Sequence, residues 1–323
     1  MANATKSALD QMPVQFYIYI VQGFLICLFN VLIVAAILRK EELREKKEYL
    51  IACGLAFADA LLGSAFFVTG LTRVHLWYTN THKLPKTSFQ CMLTAQSLLR
   101  FVSIPLATLM LVAISVDRLF LMLSPLTYFS VERGYAMGLV GGFYTFGLAN
   151  TLSFILISYI YRFRGTFPAV CQGPYALART KAAKYFYFLR AGSGLLSVVL
   201  YLFVPLAYKL RSNNHQIETQ KKLIKTFGIS ALFTFIFFVC PNIVKTFLAD
   251  TLPLALWQIF GSWGTVIQNV NPMLNFLLYT LRHEDIRQAV LELFGVKPIR
   301  VTARIESAGR QPRSSRISKS GIK

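Results

Sequence analysis

The sequence predicts an all-α membrane protein, a seven-transmembrane helix bundle with a short amphipathic eighth helix. Three observations carry this. Only 15% of the 323 residues are charged while 55% are hydrophobic, against about 25% charged in soluble domains. Seven apolar runs stand at roughly residues 15–38, 49–72, 92–116, 136–160, 186–210, 223–248 and 254–279, each near the twenty or so residues needed to cross about 30 Å of hydrocarbon. The connections between them are short, so no enzyme-sized domain is left over. The predicted division is 1–14 as an extracellular N-terminus, 15–295 as the helical body including the amphipathic helix, and 296–323 as a disordered basic cytoplasmic tail.

The first run is too long for a signal-peptide core, has no basic region before it and lacks a small-residue cleavage site, so it reads as a spanning helix. Arg39, Lys40, Arg44, Lys46 and Lys47 follow it, whereas only Lys6 precedes it. That asymmetry puts the N-terminus outside, in a multi-pass protein of the plasma membrane. Asn3-Ala4-Thr5 is then a glycosylation sequon on the correct side. The second run holds Asp59 at its middle. The third holds Arg100, and charged residues inside spanning helices are functional candidates by default. Pro205, Pro241 and Pro272 fall in runs five, six and seven, where each removes a backbone hydrogen bond and kinks its helix. Beyond the last run, Ile286, Ala289, Val290, Leu293 and Phe294 form one apolar stripe on a short helix suited to the inner leaflet. Ten Lys/Arg lie between Arg282 and Lys323, and anionic lipid is their natural partner. The net charge of +20 does not point to nucleic acid in a seven-helix membrane protein.

Run three ends on Ser115-Val116-Asp117-Arg118-Leu119, followed by Pro125-Leu126-Thr127-Tyr128. An Asp-Arg pair closing a long apolar run, with Pro-Leu-x-Tyr at this spacing, resembles the third-helix end of a rhodopsin-like G-protein-coupled receptor. Leu55-Ala56-Phe57-Ala58-Asp59, Asn30 and Asn271-Pro272 resemble the central polar positions of the same family. The resemblance covers about residues 15–295 and implies a receptor, not an enzyme, that activates a heterotrimeric G protein. It implies that Asp117 restrains Arg118, that Pro125 and Tyr128 join the coupling surface, and that Phe235, six residues before Pro241, is the aromatic of the core switch. It also implies a polar cluster of Asn30, Asp59 and Asn271 that binds sodium in many members; a plain interhelical hydrogen-bond set is the alternative, and no other cofactor is expected. Cys91 and Cys171 match the family's outer disulfide, while Cys27, Cys53 and Cys240 read as core residues. Several positions depart from the pattern. Leu119 follows Asp-Arg in place of tyrosine, Val239 replaces tryptophan two before Pro241, and Asn275 stands where Asn-Pro-x-x-Tyr has its tyrosine, with Tyr279 one turn later. Cys91 precedes Arg118 by two residues more than usual, which predicts a bulge or altered start to the third helix. The chain is similar in this divergence to invertebrate peptide receptors and nematode serpentine chemoreceptors.

The ligand is predicted from charge. Twelve of the 34 Lys/Arg fall on the outer half, opposed only by Asp10 and Asp250, and such a vestibule attracts anions. Arg100 stands eighteen residues before Arg118, five turns up the same face, where amine receptors carry an aspartate. A guanidinium there suits a carboxylate, with Lys245 and Arg190 as further contacts; an internal partner or snorkelling is the alternative for Arg100. An opsin is excluded because Thr265 stands where the Schiff-base lysine is needed. The expectation is an anionic ligand, an acidic peptide or small carboxylate. A chemosensory receptor for a neutral small molecule and a seven-helix transporter are the other readings.

Overall fold

The computed structural model describes residues 12–163, 166–171, 177, 181–211, 228–248, 261 and 263–296. The sequon at Asn3, residues 254–260 of the predicted seventh run and the tail beyond 296 lie outside them. The long helices are α1 (Met12–Arg39), α2 (Lys47–Tyr78), α3 (Ala95–Leu123), α4 (Arg133–Ile160), α5 (Lys181–Arg211) and α6 (Gly228–Phe247). All six are long and apolar enough to cross a membrane. Two shorter helices follow, α7 (Val270–Arg282) and α8 (Glu284–Leu293).

The helices outrun the apolar windows because a hydropathy window closes at the first charge, whereas a helix does not. The clearest case is α2, which continues past residue 72 to Tyr78 and so carries Arg73 inside the bundle, 4% exposed. α3 is the central post. Every residue from Ser103 to Ser115 is buried, and α2, α4 and α5 pack around it. α1 shows the opposite pattern, exposing Val14, Tyr17, Val21, Phe24, Leu28 and Val31 at alternating three- and four-residue spacing. One stripe of an otherwise apolar helix therefore faces lipid.

Two local devices set the packing. α1 and α2 approach until a Cβ on Gly23 would stand 2.3 Å from the Phe67 backbone nitrogen, and one on Gly63 2.5 Å from that of Cys27. Without a side chain at these points the backbones make dispersion contact directly, the main attraction between helices in lipid. In α3, Pro105 cannot donate to the Phe101 carbonyl, a defect worth about 3 kcal/mol in a helix interior. Thr151 of α4 supplies the missing donor, with its hydroxyl 2.9 Å from that carbonyl.

At one end of the bundle, strands β1 (Pro85–Thr87) and β2 (Thr166–Pro168) pair antiparallel, Lys86 opposite Phe167. The disulfide Cys91–Cys171 closes beside them. Cys91 belongs to a separate short helix, Ser88–Met92, begun by a reciprocal Thr87–Gln90 capping box. Leu93 and Thr94 break the chain before α3 starts, and this break absorbs the two extra residues that the cysteine spacing showed. The apolar stripe of α8 is turned inward: Ile286, Ala289 and Val290 are buried against Ile33, Ile37, Leu43 and Tyr49. Only Phe294, past its end, is left largely exposed.

Candidate functional site

Between α3 and its neighbours, on the side of the disulfide, stand four cations from four helices, three of them buried and Arg100 partly buried. Arg100 of α3 lies with its guanidinium carbon 5.7 Å from the Phe66 ring. Arg190 of α5 lies 5.4 Å from the ring of Phe238. Arg73 of α2 lies 5.7 Å from the rings of both Phe16 and Tyr19. Lys245 of α6 donates to the hydroxyl of Thr265 at 2.7 Å and to the side-chain carbonyl of Gln268 at 3.3 Å. Arg190 is within electrostatic reach of Arg100, Lys245 of both, and Arg73 of Arg100. Arg73, Arg190 and Lys245 are each no more than 5% exposed. The Nε atoms of Arg73, Arg100 and Arg190 are buried without a hydrogen-bond partner, and none of the four forms an ion pair among the described residues.

The sequence-predicted contacts Arg100, Arg190 and Lys245 are thus brought to one place. Arg190 sits deeper than its sequence position suggested: α5 begins at Lys181, and Arg190 lines a small cavity together with Asp59, Asn271 and Pro272. Arg73 was missed as a site residue because the predicted helix stopped one residue short of it. The signal was available, since a lone arginine one helical stretch beyond Asp59 lies in an otherwise apolar sequence. Gly264 holds the lysine in place from the other side; a Cβ there would meet the Lys245 Cε at 2.6 Å.

At mid-bundle Asp59 is 3% exposed and accepts a hydrogen bond from the Asn275 amide at 3.1 Å. Asn30 donates to its own helix at Ile26, and the Asn271 side-chain carbonyl accepts from Thr234 at 3.3 Å. The three predicted polar residues are all buried, but the partner of Asp59 is Asn275, the residue that departs from the family pattern. The donor set suits a sodium ion poorly. Asp59 is engaged by an amide, Ala107 offers no oxygen, and the Arg190 guanidinium lines the same cavity.

At the opposite end, the Arg118 Nε lies 3.7 Å from Asp117, and the Tyr128 hydroxyl donates to the other carboxylate oxygen at 3.1 Å. Pro125 opens the short helix Pro125–Ser130 as its first residue, where its fixed φ is already helical, and so aims Tyr128 inward to 1% exposure. Lys47 stands over the Tyr128 ring at 4.0 Å and donates to the Tyr128 and Val131 carbonyls. Burial, and then the Asp117 charge, raises the pKa of the Tyr128 hydroxyl, which keeps it a donor. Arg118 also borders a small cavity with Tyr201, Thr234, Asn275 and Tyr279. Tyr279, one turn beyond the departing Asn275, takes a place beside the arginine.

Phe235 differs from expectation. It is 39% exposed, while Phe238 is buried under Arg190. The cause is local: residues Thr234–Val239 form a π-helical turn directly before Pro241. The added residue rotates Phe235 to the outer face and brings Phe238 inward. A bulge of this kind is a recognised companion of functional sites.

Residues 29–279, well over half of the chain, match the family described as 7 transmembrane receptor (rhodopsin family). No curated protein matches the sequence.

Proposed function

Because this chain belongs to the rhodopsin family of seven-transmembrane receptors, a family of receptors and not of enzymes, we propose that it binds an extracellular anion at Arg100, Arg190 and Lys245 and reports that binding to a heterotrimeric G protein. The observation that carries the reading is a cluster of four cations, three of them deeply buried, that forms no ion pair among the described residues; the one carboxylate nearby, Asp59 on the cavity that Arg190 lines, is engaged by Asn275. Among the described residues every Asp or Glu except Asp59 lies at the Asp117 end of the bundle or in the segments beside it. An uncompensated cation in a low-dielectric interior is costly, so the cluster awaits a negative partner, and an entering anion replaces repulsion with charge-assisted hydrogen bonds.

In this reading the N-terminus and the disulfide end face outward at the plasma membrane, and a seventh crossing ends in α7. α8 is the amphipathic eighth helix, docked on the body by its stripe. The basic loop Arg39–Lys47 supports the orientation. Asp117, Arg118, Pro125 and Tyr128 form the coupling surface, and Pro241 and Pro272 are the hinges that open it. Asn271 ties α6 to α7 through Thr234, and Asp59 acts through Asn275, with no bound sodium required. Residues 1–14 form the outer terminus and 296–323 a basic tail attracted to anionic lipid.

The test is a ligand screen in cells that express the chain with promiscuous G proteins, read by calcium release. Carboxylates and acidic peptides run beside amines, on wild type and on Arg100→Ala. A response to anions that is lost in the variant at equal surface expression is the expected result. Activation by an amine or a neutral compound, unchanged in Arg100→Ala, would remove the anion reading.

A further inference from the structure

The four cations fall into two pairs. Arg73 is seated against the rings of α1, Phe16 and Tyr19. Arg100 of α3 lies against Phe66, whose ring is 5.7 Å from that of Tyr19, so the Tyr19–Phe66 ring pair links Arg73 to Arg100. On the other side Arg190 lies over Phe238 of α6 and shares a cavity with Gln268, which accepts from Lys245 as Thr265 does.

We propose that the site takes a small molecule with two anionic groups, one at each end: the first between Arg190 and Lys245, the second at Arg73 beside Tyr19, with Arg100 between them. This rests on the anion-receptor reading above and narrows it. A single carboxylate placed at one end leaves the other end charged, buried and without a counter-charge, an arrangement the interior tolerates poorly. A second anionic group removes that defect, so the preference arises from the protein's own unmet charge as much as from new contacts. Three of the four cations are nearly inaccessible in the unliganded protein, and this favours a small diacid over a peptide. The Tyr19 and Phe66 rings, 5.7 Å apart and lying against Arg73 and Arg100, offer an apolar surface to a short hydrocarbon linker. Arg73 is then the residue that separates diacids from monoacids, while Arg100 serves both.

The experiment uses the full-length chain purified in detergent, with unfolding temperature followed against added acid at fixed ionic strength. The probes are the straight-chain α,ω-dicarboxylates from ethanedioate to octanedioate, each paired with the monocarboxylate of equal length. At the matching length the diacid is expected to stabilise at a concentration at least about tenfold lower than its monoacid, the worth of one charge-assisted contact. Arg73→Gln removes that advantage, so that diacid and monoacid of equal length stabilise at similar concentrations, whereas Arg73→Lys keeps most of it. Arg73→Gln also raises the unfolding temperature of the unliganded protein, because it removes a buried like charge, so a misfolded variant is recognised at once. If no diacid outperforms its monoacid, or the advantage survives Arg73→Gln, the two-ended site is wrong while the anion receptor stands. If neither acid series shifts the unfolding temperature, both readings fall.

Discussion

Asn275 stands where the family's tyrosine is usual, and in this chain it is the residue that satisfies the buried Asp59. A sequence comparison registers that position as a loss; the structure shows an exchange, with Tyr279 taking the place beside Arg118. Asn275→Leu therefore leaves a buried carboxylate without its donor and is expected to cost about 1–3 kcal/mol, read as a lowered unfolding temperature. Adding Asp59→Leu should recover most of the loss, and a double variant no more stable than Asn275→Leu alone would show that the pair is not coupled. Single-residue chemistry was legible wherever a charge interrupts an apolar run, as at Asp59, Arg100 and Arg118. It was not legible at Phe235 and Phe238, because the π turn at Thr234–Val239 shifts the helical register and leaves no mark in composition. Arg73 was lost for a related reason, since a hydropathy window treats a charge as the end of a helix.

The elements make their own predictions. α1 and α2 meet at backbone distance through Gly23 and Gly63, so Gly63→Leu forces them apart and should abolish surface expression. Leucine at Gly134, which has open space around it, should leave expression intact; equal expression of the two would contradict the packing account. α8 is held by its apolar stripe and by Asp285, which accepts from Lys46 and Tyr49, both at 2.9 Å. The hydrogen bond from Lys46 is the main reason that the Asp285 carboxyl lies below the usual carboxylate range. A depressed carboxylate stabilises the fold above its unfolded pKa and loses that contribution as the pH falls through the folded value. Since the side chain is half exposed, the effect stays under about 1 kcal/mol. Protection of α8 against hydrogen exchange, corrected for the intrinsic rate, should therefore fall modestly below about pH 4, and Asp285→Asn should remove that dependence. The six long helices and their order were readable from apolar run lengths. The break before α3 was readable from cysteine spacing, and the inward turn of the α8 stripe was not, because an amphipathic pattern does not say whether lipid or protein covers it.

Over the whole molecule, charge is divided by end. Among the described residues all carboxylates but Asp59 gather at the Asp117 end or beside it, where several pair with Lys40, Lys46 and Arg118, while the disulfide side holds cations that form no ion pair. The sequence showed this imbalance as a count, but only the fold turns four residues from four helices into one site. The cations and the Asp117–Arg118 pair are joined through α3, which carries Arg100 and Arg118 on one buried rod, and through the cavity where Arg190 and Asp59 meet. In the proposed reading, an anion that draws Arg190 towards Arg100 would alter the packing of Phe238, three residues before Pro241, and so act on the hinge of α6. The most direct test of this account is nucleotide exchange on a purified G protein reconstituted in vesicles with the receptor, driven by the most potent anion from the cell screen. The wild type is predicted to accelerate exchange with the anion present. Arg100→Gln should fail at the same concentration, and Arg118→Ala should still be stabilised by the anion yet leave exchange at its basal rate. Full anion-driven exchange in Arg100→Gln would contradict the account.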